Sequence, residues 1–215
     1  MKVVCFSDPH GMHRQIEVPD GDLLICAGDI TGWDKLEEIY DFSDWLSELP
    51  HKYKIVIAGN HDGCLEKAGC ELSSIYLSDA IYLENNFCFI EHGDKAYKIW
   101  GSPITPRFMD WYFMKDRGEE INGVWAQIHE DTDILITHGP AWGILDEVRP
   151  AWKKGHLGCE GLAKRIEKLP NLKAHVFGHI HDAFGVKAVD GVTHINASIC
   201  TEDYEPTNKP IVIDI

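Results

Sequence analysis

Ile55-Val56-Ile57-Ala58-Gly59-Asn60-His61-Asp62 runs four apolar residues into a glycine and then into three side chains able to bind a metal or carry a proton. A buried strand that stops at a reaction site has this pattern. Four other stretches repeat it: Val3-Val4-Cys5-Phe6-Ser7 before Asp8-Pro9-His10, Leu23-Leu24-Ile25-Cys26-Ala27 before Gly28-Asp29, Ile134-Leu135-Ile136-Thr137 before His138-Gly139, and His175-Val176-Phe177 before Gly178-His179-Ile180-His181. In open α/β sheets ligands bind beyond the carboxyl ends of the strands. Apolar runs that end in Asp, Asn or His therefore predict one shared site.

Outward from that stretch, the front half alternates strand and helix. Continuous apolar runs predict strands covered on both faces, as in parallel sheets. Between Asp34 and Leu49, the residues Leu36, Ile39, Tyr40, Phe42, Trp45, Leu46 and Leu49 recur at three- and four-residue steps and predict an amphipathic helix, capped by Thr31 or Asp34 and ended by Pro50. The signal from Gly63 to Asp79 is weak and reads as loop with a short helix. Ile81 to Leu83, Phe87 to Glu91 and Lys95 to Trp100 alternate about turns and predict antiparallel pairing, hence a mixed sheet. Ser102 to Gly118 is aromatic-rich without clean periodicity and reads equally as a lid or as packing over a sheet edge. Helices are expected from Glu119 to His129 and from Glu160 to Leu169, and Gly139 to Cys159 reads as a long ordered loop. Thr193 to Ile199 and Ile211 to Ile215 close the α/β arrangement, expected as a single domain over 1–215.

Composition excludes several classes of function. A formal net charge of -15, from 35 acidic against 20 basic residues, repels polyanions and supplies no basic stripe, so no long nucleic acid partner is expected. No apolar run approaches the ~20 residues of a membrane span, and Met1-Lys2 leads straight into a strand rather than a signal sequence. The expected location is cytoplasmic, as a monomer or homodimer. Seven cysteines without C-x-x-C spacing predict reduced structural thiols rather than a zinc site.

A divalent ion that activates water at neutral pH takes carboxylate and imidazole ligands, and Asp8, His10, Asp29, Asn60, His138, His179 and His181 offer them. Taken singly, each has an ordinary reading as a turn cap or a packed histidine. As a set they suit two ions, with Asp29 as the natural bridging carboxylate. Manganese is the expected metal, and iron, zinc and nickel accept the same donors.

The pattern Asp8-x-His10, Gly28-Asp29, Gly59-Asn60-His61-Asp62, His138 and Gly178-His179-x-His181 resembles the calcineurin-like metallophosphoesterase superfamily, and the match spans the chain. Gly101-Ser102-Pro103, Asp133 through Pro140 and the closing Pro210-Ile211-Val212 look like its MPPED-type members, class III-like cyclic nucleotide phosphodiesterases. The resemblance implies a four-layer αββα sandwich of two mixed sheets flanked by helices. It also implies Asp8, His10, Asp29 and His181 around a first ion, and Asp29, Asn60, His138 and His179 around a second. His61 would be the general acid at the leaving group, with Asp62 orienting it. Hydroxide between the ions would attack phosphorus in line.

The substrate expected on these grounds is a small phosphodiester, with a phosphomonoester or nucleic acid cleaved at the same site as alternatives, and a non-catalytic scaffold as a reading from a different class. Arg14 and Arg107 are candidate phosphate contacts, since a guanidinium suits that geometry, against an ordinary solvated role. Phe108 and Trp33 are candidate stacking surfaces for a base, with packing as the other reading. His156, in the long loop, is a candidate pocket residue, whereas His51, His92, His129 and His194 read as ordinary.

Overall fold

The computed structural model describes residues 1–148 and 155–215. In chain order the elements are β1 (Lys2–Phe6), β2 (Leu23–Cys26), α1 (Leu36–Glu48), β3 (Tyr53–Val56), α2 (Gly63–Tyr76), β4 (Ile81–Tyr82), β5 (Asn86–His92), β6 (Lys95–Ser102), β7 (Thr105–Pro106) and β8 (Met114–Lys115). They continue with α3 (Glu119–Trp125), β9 (Ile134–Thr137), α4 (Glu160–Ile166), β10 (Ala174–Phe177), β11 (Gly185–Val189), β12 (Val192–Asn196) and β13 (Ile211–Asp214). The expected ordered loop over Gly139 to Cys159 lies in part, at 149–154, outside the described residues.

Two mixed sheets form the centre, in the orders β13-β1-β2-β3-β4 and β11-β12-β10-β9-β6-β5. Because successive side chains of a strand point to opposite faces, each strand feeds two cores at once. Val3, Cys5, Leu23, Ile25, Ile55 and Ile57 meet Ile99, Ile134, Ile136, Val176 and Ile195 between the sheets. Val4, Phe6, Leu24 and Val56 on one outer face, and Trp100 and Leu135 on the other, pack with helix residues such as Ile39, Phe42, Trp125 and Leu162. The layers are therefore helix, sheet, sheet, helix, as the family resemblance implied.

Parallel pairing puts the site-bearing ends level. Phe6 pairs with Cys26 and Cys26 with Val56 in the first sheet. In the second sheet Ser102 pairs with Thr137, Val176 with Ile136, and Phe177 with Asn196. A bridge between Ser7 and Ser198, with Ser7 N–H donating to Ala197 O at 2.9 Å, joins the two sheets at this edge. All five polar termini consequently emerge side by side.

Several local expectations are corrected. Gly63 to Asp79 is largely helix, broken inside by Gly69 at φ 78°. Ile81 joins the first sheet in parallel, pairing with Ile55, so that of the three segments expected to pair antiparallel β5 and β6 do so and β4 does not. The β4 segment is short and apolar, so alternation carried no information about its partner. Lys35 rather than Thr31 or Asp34 stands at the start of α1, and the Asp34 carboxylate instead accepts the Cys64 N–H. β11 had no recognisable run, because its middle residues are exposed. Trp33 is 81% exposed and so does not pack. All seven cysteines are free.

Candidate metal centre

Four of the candidate ligands sit just past strand ends with left-handed backbones: Asp8 at φ 55°, His10 at 43°, Asp29 at 52° and His179 at 67°. Residues other than glycine adopt that region at some energetic cost, and such strain collects at functional sites. Here it turns the chain sharply so that the side chains face one another. Gly59 is obligatory for a different reason: a Cβ there would collide with the Asp29 carboxylate and the His138 ring.

The Asp29 carboxylate divides its work between its two oxygens. Oδ1 accepts the His61 backbone N–H at 2.8 Å, which fixes the group. Oδ2 lies 3.3 Å from His138 Nε2, 3.9 Å from His10 Nε2 and 4.0 Å from His61 Nε2. Ligand-capable atoms converge in three overlapping groups, Asp8 with His10 and His181, His10 with Asp29 and His61, and Asp29 with His138 and His179, each within 4.8 Å. Asn60 joins the last, its Oδ1 3.0 Å from His138 Nε2. The structure thus brings all seven sequence-predicted ligands together, with Asp29 common to both halves.

The donor chemistry fits cations. His138 donates Nδ1–H to Ala27 O at 2.9 Å, which turns its Nε2 toward two acceptors, Asn60 Oδ1 and Asp29 Oδ2. His181 donates Nδ1–H to Thr201 O at 2.9 Å and points Nε2 at Asp8 Oδ1, 3.6 Å away. Such outer hydrogen bonds fix the imidazole that faces a metal. Asp8 is anchored likewise, its Oδ2 accepting from Ser198 Oγ–H at 2.6 Å and its oxygens accepting the His179 N–H at 3.1 Å.

Charge states follow from burial and these neighbours. Burial disfavours charge on both aspartates, yet His181 holds Asp8 and His138 holds Asp29 well below the usual carboxylate range. Burial likewise opposes a proton on His138, but Asp29 outweighs it and raises the imidazole to about 9. Burial lowers His10 and His179 to about 4, so both are neutral and ready to donate a lone pair. Two ionised, buried carboxylates among imidazoles, with His10 and His179 neutral and His138 holding a proton that a metal cation can displace, are the composition of a divalent metal site.

His61 stands beside this cluster, its ring centroid 4.2 Å from that of Trp111 and 4.6 Å from that of His10. The expectation that Asp62 orients it is corrected. Asp62 Oδ2 accepts backbone N–H groups from Gly59 at 2.8 Å and Ile30 at 3.1 Å, and Oδ1 accepts that of Thr31 at 2.8 Å. It ties the Asp29 loop to the Asn60 loop. Burial, reinforced by Asp29, raises this carboxyl to about 7.

A cavity of about 380 Å³ opens over the centre, lined by Asp29, Asn60, His61, His179 and His181 below and by Phe108, Trp111, Met114, Leu157 and Tyr204 above. Arg107 and Phe108 line it, although the Arg107 guanidinium is ion-paired with Asp116. Arg14 does not: it is spent on Asp41 and Glu48 along α1. His156 turns instead to Asp146, at 2.7 Å, and stacks near Trp142. Two cavity residues were not foreseen from the sequence: Tyr204, whose ring is 4.8 Å from that of His10, and Arg117, which lines the cavity while donating to Leu157 O and Gly158 O. No motif marks either one. Trp111 carried only the signal of its aromatic-rich stretch.

The strand ends of this four-layer mixed sandwich gather carboxylates, imidazoles and an amide around a shared Asp, a donor set that suits divalent cations. The Calcineurin-like phosphoesterase family matches residues 1–183, and the chain belongs to it. The human Metallophosphoesterase domain-containing protein 1 is 38% identical over 100% of this chain and 71% of its own length. Two solved structures share the fold: one at TM-score 0.65 and 16% identity covers 91% of this chain and 89% of its own. The other, TT1561 of Thermus thermophilus, has TM-score 0.59 and 15% identity over 91% of this chain and 88% of its own. Among the described residues no helix is long and apolar enough to cross a membrane.

Proposed function

We propose that the chain hydrolyses small phosphodiesters, with cyclic nucleotides as the favoured class, at a centre of two divalent ions, manganese first among them. Asp8, His10, Asp29 and His181 would hold one ion and Asp29, Asn60, His138 and His179 the other. Bound there, the ions supply Lewis acidity toward phosphoryl oxygens and acidify water. The observation that carries this reading is the Asp29 Oδ2 atom, which faces His138 and His10 at once and lies 4.0 Å from His61 Nε2.

The chain's own residues do the rest. His61 is placed between the cluster and the cavity, where an imidazolium donates its proton to the departing oxygen. The apolar wall of Phe108 and Met114 accommodates the organic part of the ester and thins the water around the phosphate. Asp182 and Glu202 at the cavity, with the net charge of -15, favour a singly charged diester over a doubly charged monoester and over a nucleic acid polymer. Free cysteines fit a reducing, cytoplasmic setting.

With Mn²⁺, purified protein is expected to hydrolyse bis-4-nitrophenyl phosphate faster than 4-nitrophenyl phosphate. The opposite preference rejects the diesterase reading in favour of a monoesterase. No turnover of either ester at full metal loading leaves the scaffold reading.

A further inference from the structure

His61 needs something to aim it, because the carboxylate next to it in sequence is engaged elsewhere. Its backbone is fixed at both ends: the N–H donates to Asp29 Oδ1 at 2.8 Å, and the carbonyl accepts from Thr31 Oγ1–H at 2.8 Å. Among the described residues the ring is held by packing, and its one carboxylate neighbour there is Asp29 Oδ2 at 4.0 Å, too long for a hydrogen bond. Trp111 covers it at 4.2 Å between centroids with planes at 47°, the His10 ring meets it edge-on at 4.6 Å and 73°, and Tyr204 lies 6.1 Å away.

Trp111 belongs to a flap anchored on the same loop that carries His61. The flap is stitched internally by the β7–β8 pair and by Thr105 N–H donating to Phe113 O at 2.9 Å. Tyr112 N–H donates to Asn60 O at 3.3 Å, and Phe113 N–H donates to Glu66 Oε1 at 2.7 Å. The Tyr112 ring lies so close on Gly63 that a Cβ there would collide with it, and Lys67 Nζ sits 4.6 Å from its centroid. Residues on both sides of His61 therefore fix the segment that brings Trp111 over the imidazole.

From this geometry we infer that Trp111 is the positioning residue for His61: it holds the imidazole against the His10 edge, with its reactive edge toward the cavity, and so sets proton delivery to the leaving group. This rests on the phosphoesterase reading. An imidazole pinned between two rings loses little freedom on reaching the reactive geometry. Stacking on the substrate's organic group is the competing role for the same indole, 38% of which is exposed.

The test compares Trp111→Ala and Trp111→Phe with the parent protein, all loaded with Mn²⁺, on two phosphodiesters sharing one acyl-free phosphate core, a 4-nitrophenyl and an alkyl leaving group. Protonation matters for an alkoxide and little for 4-nitrophenolate, so Trp111→Ala is expected to lower kcat on the alkyl ester by about tenfold or more and on the nitrophenyl ester by about threefold at most, with Trp111→Phe recovering most of the loss. Metal content is expected to match the parent. Equal losses on both esters, or a rise in KM confined to substrates bearing an aromatic group, overturns the inference. A second readout needs no turnover: in metal-free, isotope-labelled protein the His61 Cε1–H resonance is expected to move and broaden in Trp111→Ala and to be restored in Trp111→Phe. An unmoved, sharp resonance overturns the positioning role even if the chain hydrolyses no phosphoester, whereas a moved resonance in an inactive parent rejects only the functional reading.

Discussion

His10 and His181, 171 residues apart in the chain, present their Nε2 atoms to each other at 3.3 Å. His181 already uses Nδ1–H on Thr201 O, so a proton or a metal ion must lie between the two rings to satisfy both nitrogens. The same holds across the cluster, where His138 Nε2 faces Asn60 Oδ1 and Asp29 Oδ2. Protons balance these charges in the metal-free protein, and metal binding displaces them.

Asp29→Ala is expected to abolish binding at both halves of the centre at once, since among the described residues no other carboxylate faces His10 and His138 together. Metal analysis after dialysis checks it. For the parent protein, Mn²⁺ at about a hundred times its dissociation constant is expected to add about 2.7 kcal/mol of stability over the chelated form, and the variant to show no such gain. Parent-like metal content in Asp29→Ala would sink the bridging assignment.

Asp62→Ala strands three backbone N–H groups, those of Ile30, Thr31 and Gly59, in the interior. An unsatisfied buried donor is costly, so the variant is expected to lose about 2–5 kcal/mol in denaturant unfolding, measured with chelator present so that metal binding does not enter. It is also expected to bind metal more weakly once folded, because the Asp29 loop is no longer tied to the Asn60 loop. A loss under about 0.5 kcal/mol, at the level of an ordinary surface substitution, rejects the tie.

A buried histidine pair away from the metal centre predicts acid lability. His194 and His175 face each other through Nδ1 atoms 3.3 Å apart, and His175 Nε2–H donates to Thr137 Oγ1 at 2.8 Å, whose own hydroxyl donates to Gly139 O. Burial, then Lys187, lowers His194 to about 4, and burial, then His194, also lowers His175. Both rings are thus neutral in the fold, while in the unfolded chain they take up protons near about 6.5. Their stabilisation is complete above that value and is lost as pH falls toward about 4, by on the order of 2 kcal/mol at pH 5. Urea unfolding in chelator from pH 7 to 5 is expected to show this slope, and His194→Gln a flatter one. An unchanged slope in the variant removes the pair as its source.

How much of this was legible depends on the range of the interaction involved. Apolar runs in β1, β2, β3, β9 and β10 announced themselves because burial on both faces demands them locally, and the polar residues after each run announced the site because nothing structural calls for Asp or His there. β4 and β11 were misread or missed, since two residues, or a strand with exposed middle positions, carry no usable alternation. Arg14 and His156 had the right chemistry and the wrong place: Asp41 and Glu48 hold the one, and Asp146 the other.

By itself, the sequence determined the α/β character, the five apolar runs that end in polar residues and the seven candidate ligands, because strand burial and ligand type are properties of short segments. Tertiary structure alone decided that Asp62 grips Ile30, Thr31 and Gly59 instead of aiming His61, and that Trp111, 50 positions further on by number, covers that ring. The physical reason is that a hydrogen-bonding or stacking side chain takes whichever partner folding delivers, and the partner comes from the packing of loops on separate strands rather than from the neighbour next along the chain.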